Sequence, residues 1–554
     1  MRFGFIVALA LTLLQGGLAA AQPAELIVHN AKVTTLDAKG SVAQALAVRD
    51  GRIIGVGDNA TVQRLAGAGT RSIDAGGRNL IPGLIDSHMH GVRAALSYST
   101  EVNWIGAGTV AEAMARLKEK SAASRPGSWL IVAGGWTEQQ FAEKRRPTLA
   151  EVLAAAPDNP VYIQLFYAAV LVTPKAQAAL NLNTESLSSA APGITVERDA
   201  AGGATGWWTG NIIAVSALFD RLPKPTYADN VDGTRQFFAE LNRLGVTGII
   251  DTGGFNIAAP QYAALFQLWR EKSMTVRVAW HLFAQKPGIE LDEFKAPTQM
   301  MPMGFGDEML KFNGIGERIT LAMYNNNFPN DDARAKFFDV IRWAAEQRLA
   351  VTIHWSEATS VGTLLELFER IDREVTPIAP LRWSIAHLEN ASPQTLARMA
   401  ALGVGWTMQM AMYYGGDREI AARGDAARRM PPVVTALKAG VHVGAGTDAH
   451  RVASYNPFVV LQWLLDGRTV AGTPQRVADE IPTREQALRL YTQGSAWFSF
   501  DENKRGSIEL GKLADFAILD QDFFAVPVER IGRTVSLITV VGGKVVHATK
   551  PFDR

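Results

Sequence analysis

Apolar and polar positions divide the chain into three stretches with different periods. Residues 25–33 alternate with the two-residue period of a strand, 45–48 are a second short apolar run, and Arg49-Asp50-Gly51-Arg52 turns the chain into 53–57. That is a hairpin pattern. The far end has the same character: runs at 514–520 and 535–541, then a Gly542-Gly543 turn before 544–547. Two β-rich ends around a long middle predict one small β-sandwich assembled from residues 22–80 and 500–554.

The middle changes period. Short β-rich runs at 80–86, 246–251, 276–281, 309–313, 350–354, 382–387, 404–409 and 441–448 are separated by helical stretches, amphipathic at 337–348, 361–373 and 393–402. Strands alternating with helices predict a parallel sheet, and eight such units predict an α/β fold of the (β/α)8 TIM-barrel type over residues 81–499. Residues 91–245 are too long for one crossover and read as a large subdomain inserted after strand one.

Composition narrows the class. Of 554 residues, 47% are hydrophobic and 20% charged, as in an ordinary globular enzyme. The net charge of +1 gives no bias toward nucleic acid or an anionic membrane. With no cysteine, disulfides, thiolate nucleophiles and Cys-based metal sites drop out together. Residues 1–21 pair Arg2 with an apolar run and end in Ala19-Ala20-Ala21, the pattern of a cleaved signal peptide. The expectation is an exported protein, periplasmic or secreted, without stable membrane association after cleavage. It acts on a small-molecule substrate, with a homo-oligomer left open.

Candidate chemistry gathers at the predicted strand ends. The run Ile81-Pro82-Gly83-Leu84-Ile85-Asp86-Ser87-His88-Met89-His90 is an apolar strand ending in two histidines on one face, half of a metal site. His354 ends strand five, His387 strand six and Asp448 strand eight, while Lys311 lies on strand four. The C-terminal face of a barrel is where catalytic groups collect, and this N/O donor set suits metal-assisted hydrolysis. Singly, each residue has a plainer role: a hydrogen-bonded core histidine for His354 or His387, a loop cap for Asp448, a snorkelling or ion-paired lysine for Lys311. Asp448 is placed to take a proton from water and pass it to a leaving nitrogen. His387 or His450 is placed to face a developing oxyanion, with a surface position equally open for His450. Trp136, Tyr324, Trp355, Met408 and His450 are the candidate substrate contacts, each with core or lid packing as the alternative.

These motifs, with Leu46-Ala47-Val48-Arg49-Asp50-Gly51-Arg52-Ile53 and the run from Gly506 to Asp515, resemble the metal-dependent amidohydrolase superfamily. Within it they resemble amidohydrolase family 3, the branch similar to N-substituted formamide deformylases. The resemblance implies one or two divalent ions, zinc foremost, held by His88, His90, His354, His387 and Asp448, with Lys311 N-carboxylated as the bridge. It implies hydrolysis of a non-peptide C–N bond: amide, N-acyl or cyclic amide. An ester or lactone, or a catalytically decayed binding protein, are the other expectations. The chain departs from the branch after strand four, where it reads Lys311-Phe312-Asn313-Gly314-Ile315-Gly316-Glu317, and after His354, where it reads Trp355-Ser356-Glu357.

Overall fold

A computed structural model describes residues 22–182, 187 and 191–552; the predicted signal peptide lies outside them. Eight parallel strands organise the middle of the chain. β1 (Leu84–Met89), β2 (Val246–Asp251), β3 (Arg277–Leu282) and β4 (Leu310–Ile315) form one four-stranded sheet in the order β4-β3-β2-β1. β5 (Thr352–Trp355), β6 (Ser384–His387), β7 (Gly405–Met408) and β8 (Val443–Ala445) form a second, in sequence order. Strands such as Val246–Asp251 are buried along their whole length. This is why they read as continuous apolar runs rather than alternating ones.

The two sheets meet at two seams. Ile315 bridges Val351 between β4 and β5. On the other side Asp448 N donates to His88 O at 2.9 Å. Gly446 makes that second seam passable, since a Cβ there would lie 2.6 Å from His88 N. Helices such as Asp331–Glu346 and Val361–Glu374 bury one apolar face against the strands.

Predicted and observed strands differ at informative places. The expected run 80–86 is two strands. Asn79–Pro82 pairs with Phe516–Leu519, and only Leu84–Met89 joins the parallel sheet. Strand four runs to Ile315, two residues past its predicted end.

Between β1 and β2 lies a separate five-stranded mixed sheet, ordered Thr195–Arg198, Ala204–Thr209, Ala169–Val172, Val161–Leu165, Leu130–Val132. Trp207 and Trp208 point to opposite faces, as successive strand residues must. The first joins Trp104, Trp136 and Phe141, the second joins Tyr162 and Leu218. Gly135 N donates to Arg451 O at 3.0 Å, which ties this part to the loop after β8.

The chain ends form two further sheets. Arg52–Gly57, Ala45–Arg49, Leu26–His29 and Arg71–Asp74 make one. Lys544–Ala548, Ser536–Val541, Phe516–Leu519, Asn79–Pro82, Lys32–Thr34 and Val42–Ala43 make the other. Val28, Leu46, Ile53, Leu80, Phe516 and Ile538 share one apolar cluster between them. The expected strand 25–33 breaks at Asn30, whose φ of 53° lets the chain pass from one sheet to the other. Among the described residues no helix is long and apolar enough to cross a membrane.

Candidate metal centre

The C-terminal ends of β1, β4, β5, β6 and β8 bring four imidazoles and two carboxylates together. Glu317, two residues beyond β4, sits at the middle. Its Oε2 lies 3.1 Å from His88 Nε2, 3.2 Å from His354 Nδ1 and 3.6 Å from His387 Nε2, and its Oε1 lies 3.7 Å from His90 Nε2. Asp448 Oδ1 lies 3.1 Å from His90 Nε2 and 3.7 Å from His88 Nε2. Two ligand-sized triads result, His88 with Glu317 and His387, and His88 with His90 and Asp448.

Neighbouring groups fix several ring orientations. His90 Nδ1 lies 2.6 Å from Gly253 O. A carbonyl only accepts, so Nδ1 donates its proton there, which turns Nε2 toward Asp448. His387 N donates to Gln409 Oε1 at 2.8 Å, and His387 O accepts from Trp406 Nε1 at 2.6 Å. Asn325 accepts from Ser356 N at 2.9 Å, so its amide NH2 faces His354 Nε2 at 2.9 Å. His354 Nδ1 faces His387 Nε2 at 2.8 Å and Glu317 Oε2 at 3.2 Å, and ligation through Nδ1 asks the Asn325 amide to turn.

His88 is fully buried; its Nδ1 has no partner, and its Nε2 lies 3.1 Å from Glu317 Oε2 but outside hydrogen-bond geometry. An unsatisfied buried imidazole is costly in an ordinary core. At the centre of converging N and O donors it is what a divalent cation requires, and the residues present fit such an ion.

The electrostatics agree. Burial alone would raise both carboxyls. The imidazoles of His354, His387 and His88 overcome that for Glu317 and hold it well below its ordinary value. His90, His387 and His88 pull Asp448 down to about 2. Burial would lower His387, but Glu317, Asp448 and Glu389 push it up to about 9. Buried anions this close call for positive charge in their midst.

Lys311 is a correction. It stands at the start of β4, not the end, and its Nζ bonds Ser499 O and, at 2.7 Å, Asp501 Oδ1. Lys311 is the second residue of β4 and Glu317 lies beyond its C-terminal end, so the two stand at opposite ends of the strand. The ammonium is paired at the opposite end of the sheet, and Glu317, not Lys311, stands among the histidines. The sequence offered only a hint, since Glu317 follows the apolar run; that it enters the cluster depends on how the strands come together.

The substrate-contact candidates divide. Tyr324 stacks on His354 with ring centroids 4.5 Å apart, beside the cluster. His450 is buried and holds Glu101 Oε2 at 3.0 Å, so its Nε2 is already engaged. Trp136, Trp355 and Met408 are corrections, all three fully buried core residues. Trp136 Nε1 donates to Gln164 O at 2.8 Å within the inserted sheet's core, and Trp355 Nε1 donates to Glu357 O at 3.0 Å. A large aromatic near a strand end packs inward as readily as it faces a ligand, and the one-dimensional pattern does not separate the two.

A model described as the amidohydrolase family matches residues 71–547. The chain is 26% identical over 535 residues to N-substituted formamide deformylase of Arthrobacter pascens, covering 90% of this chain and 94% of that protein. It is 23% identical over 551 residues to Protein LONG AFTER FAR-RED 3 of Arabidopsis thaliana, covering 94% and 91%. Among solved structures, an uncharacterized metal-dependent hydrolase from Pyrococcus horikoshii OT3 superposes with a TM-score of 0.65 at 20% identity, over 91% of this chain and 99% of that one. Atrazine chlorohydrolase TrzN from Arthrobacter aurescens TC1, solved with zinc, gives 0.51 at 15% identity, over 95% and 96%. At such identities the solved structures establish a common α/β fold.

Proposed function

Since this chain belongs to the amidohydrolase family, we propose that it is a metal-dependent hydrolase cleaving a carbon–nitrogen bond other than a peptide bond. The two half-sheets are read as a (β/α)8 barrel, residues 91–245 as its insertion, and the terminal sheets as a composite sandwich. The observation that carries the function is the convergence of His88, His90, His354, His387, Glu317 and Asp448, with His88 unsatisfied at the centre.

His88, His90 and Asp448 would hold one zinc ion and His354 with His387 a second, with Glu317 between them. Zinc in this setting supplies Lewis acidity, which brings the pKa of water toward neutrality and polarises a carbonyl. The two carboxylates differ in access. The Glu317 side chain is 3% exposed and Asp448 16%. Asp448, ionised and the more exposed of the two, is therefore the group to accept a proton at Oδ and return it to the leaving nitrogen. Glu317, enclosed by imidazoles, serves to hold charge in place. His387, with its backbone held by Gln409 and Trp406, presents its ring to the reacting carbonyl. Tyr324 walls the site on the His354 side. The complete donor set speaks against a decayed scaffold. Formamide deformylase among the relatives, and the zinc-bound neighbour, support the C–N reading and the metal. Residues 1–21 support export.

Elemental analysis of the purified chain, with turnover of a panel of formamides, N-acyl amino acids and cyclic amides, tests this reading. The wild-type chain should carry zinc in stoichiometric amount and hydrolyse part of the panel. His88→Ala/His90→Ala should lose both metal and turnover. Turnover surviving in the double variant would sink the proposal.

A further inference from the structure

A cavity of about 610 Å³ is bounded by Arg93, Glu101, Trp129, Phe219, Phe255 and Arg451, among others. It adjoins the imidazole cluster. A Cβ built on Gly254 would lie 3.4 Å from Arg93 Nη1 and 3.4 Å from His90 Nδ1, so the two are less than twice that distance apart. Arg93 comes three residues after His90 on the helix Gly91–Ser97, and Arg451 three residues after Asp448.

The two arginines are 7% and 6% exposed. Neither guanidinium makes a hydrogen bond or an ion pair with the described residues, and Arg93 Nε is buried without a partner. Of the other buried arginines, Arg277 and Arg505 are ion-paired with Asp515 and Asp501, while Arg318 and Arg476 bond backbone carbonyls. The carboxylate that shares the cavity, Glu101, is taken by His450 at 3.0 Å and by Ser97 Oγ. Arg451 lies over the Phe219 ring at 3.7 Å, which occupies one face of the guanidinium and leaves its in-plane N–H fork free. Glu101 and Asp251 offset part of the cost of burying these cations, but neither hydrogen-bonds to them, and a pair of unbonded forks in a cavity is matched by a planar oxyanion.

We propose that Arg93 and Arg451 form a carboxylate subsite, so that the substrate is an amide bearing a carboxylate a few bonds from the scissile carbonyl and an apolar group. The proposal rests on the hydrolase reading for the position of the scissile bond. Trp129, Phe219 and Phe255 supply the apolar wall. The short separation of Arg93 from His90 suits an N-acyl amino acid, in which three bonds join the acyl carbon to the carboxylate carbon. It does not suit an anion at the far end of a long chain.

The test uses the zinc-loaded full chain and two readouts. In calorimetry, 3-phenylpropionate should bind at least about tenfold more tightly than 3-phenylpropanol. Arg93→Met and Arg451→Met should each weaken the acid by a similar factor, leave the alcohol unchanged and leave zinc content unchanged. Unaltered alcohol binding shows that the cavity is intact, and Arg451→Lys should recover part of the loss. In turnover, N-acetylphenylalanine should be preferred to its methyl ester, with the preference lost in both Met variants mainly through KM. Equal binding of acid and alcohol, or acid binding indifferent to both replacements, overturns the subsite. Displacement of the acid by equimolar inorganic phosphate overturns the choice of carboxylate. If the acid binds as expected but no amide is hydrolysed, the hydrolase reading fails and the subsite stands.

Discussion

Glu317 and Lys311 stand at opposite ends of one strand and do different things. The ammonium of Lys311 is held by Asp501 and Ser499 at the N-terminal end of β4, while Glu317 faces the histidines beyond its C-terminal end. Burial pulls the Lys311 ammonium down and Asp501 pushes it back up, the signature of a structural ion pair. Glu317→Gln keeps the volume and removes the charge. It should lower zinc occupancy and reduce turnover about 10²-fold or more. Lys311→Met should leave zinc and turnover unchanged and cost about 1–3 kcal/mol in urea unfolding, because Arg505 remains to pair Asp501. A Lys311→Met protein without zinc, beside a Glu317→Gln protein that retains it, would restore the carboxylated-lysine bridge.

Element boundaries explain which of the two residues the sequence could single out. Strand four was predicted to end at residue 313 and ends at Ile315, so the acidic residue just past it looked like loop. Helices were better marked, because their ends carry side-chain signals. Pro393–Leu402 follows Ser392, whose side chain accepts from Thr395 N, and stops at Gly403 with φ 66°. The helix Tyr227–Arg243, which leads into β2, opens with a capping box. Thr226 Oγ1 accepts from Asp229 N at 3.2 Å, and Asp229 Oδ2 accepts from Thr226 N at 2.8 Å. Thr226→Ala should therefore lower unfolding stability by about 1 kcal/mol, with zinc content and KM unchanged. A loss of metal there would mean that this helix positions the site more directly than its contacts indicate.

Across the whole molecule, the terminal sheets are fastened to the strand core by a few buried polar links. Arg277, opening β3, makes a two-pronged pair with Asp515 at 2.7 and 2.9 Å, and Gly542 N donates to the same carboxylate at 2.8 Å. Thr539 Oγ1 reaches Asn242 O at 2.6 Å. Both partners of the ion pair are nine-tenths buried or more. Removing one leaves the other as an uncompensated charge. Arg277→Met should cost about 3–5 kcal/mol in equilibrium unfolding, and Arg277→Met/Asp515→Leu should recover much of it. Additive losses in the double variant would show that the pair does not couple.

Local pattern was enough for the α/β class of fold and for most of the side chains that gather in the cluster. Strands that are buried on both faces must be apolar throughout, and histidines at their ends stand out against that background. His88, His90, His354, His387 and Asp448 were legible for this reason. Tertiary structure alone decided what depends on distance between remote segments: that Glu317 and not Lys311 enters the cluster, that Trp136, Trp355 and Met408 pack inward, and that Arg93 and Arg451 border one cavity without hydrogen-bond partners. Burial and pairing arise when the two half-sheets and the inserted sheet come together, and no period along the chain encodes which side chain then lacks a partner.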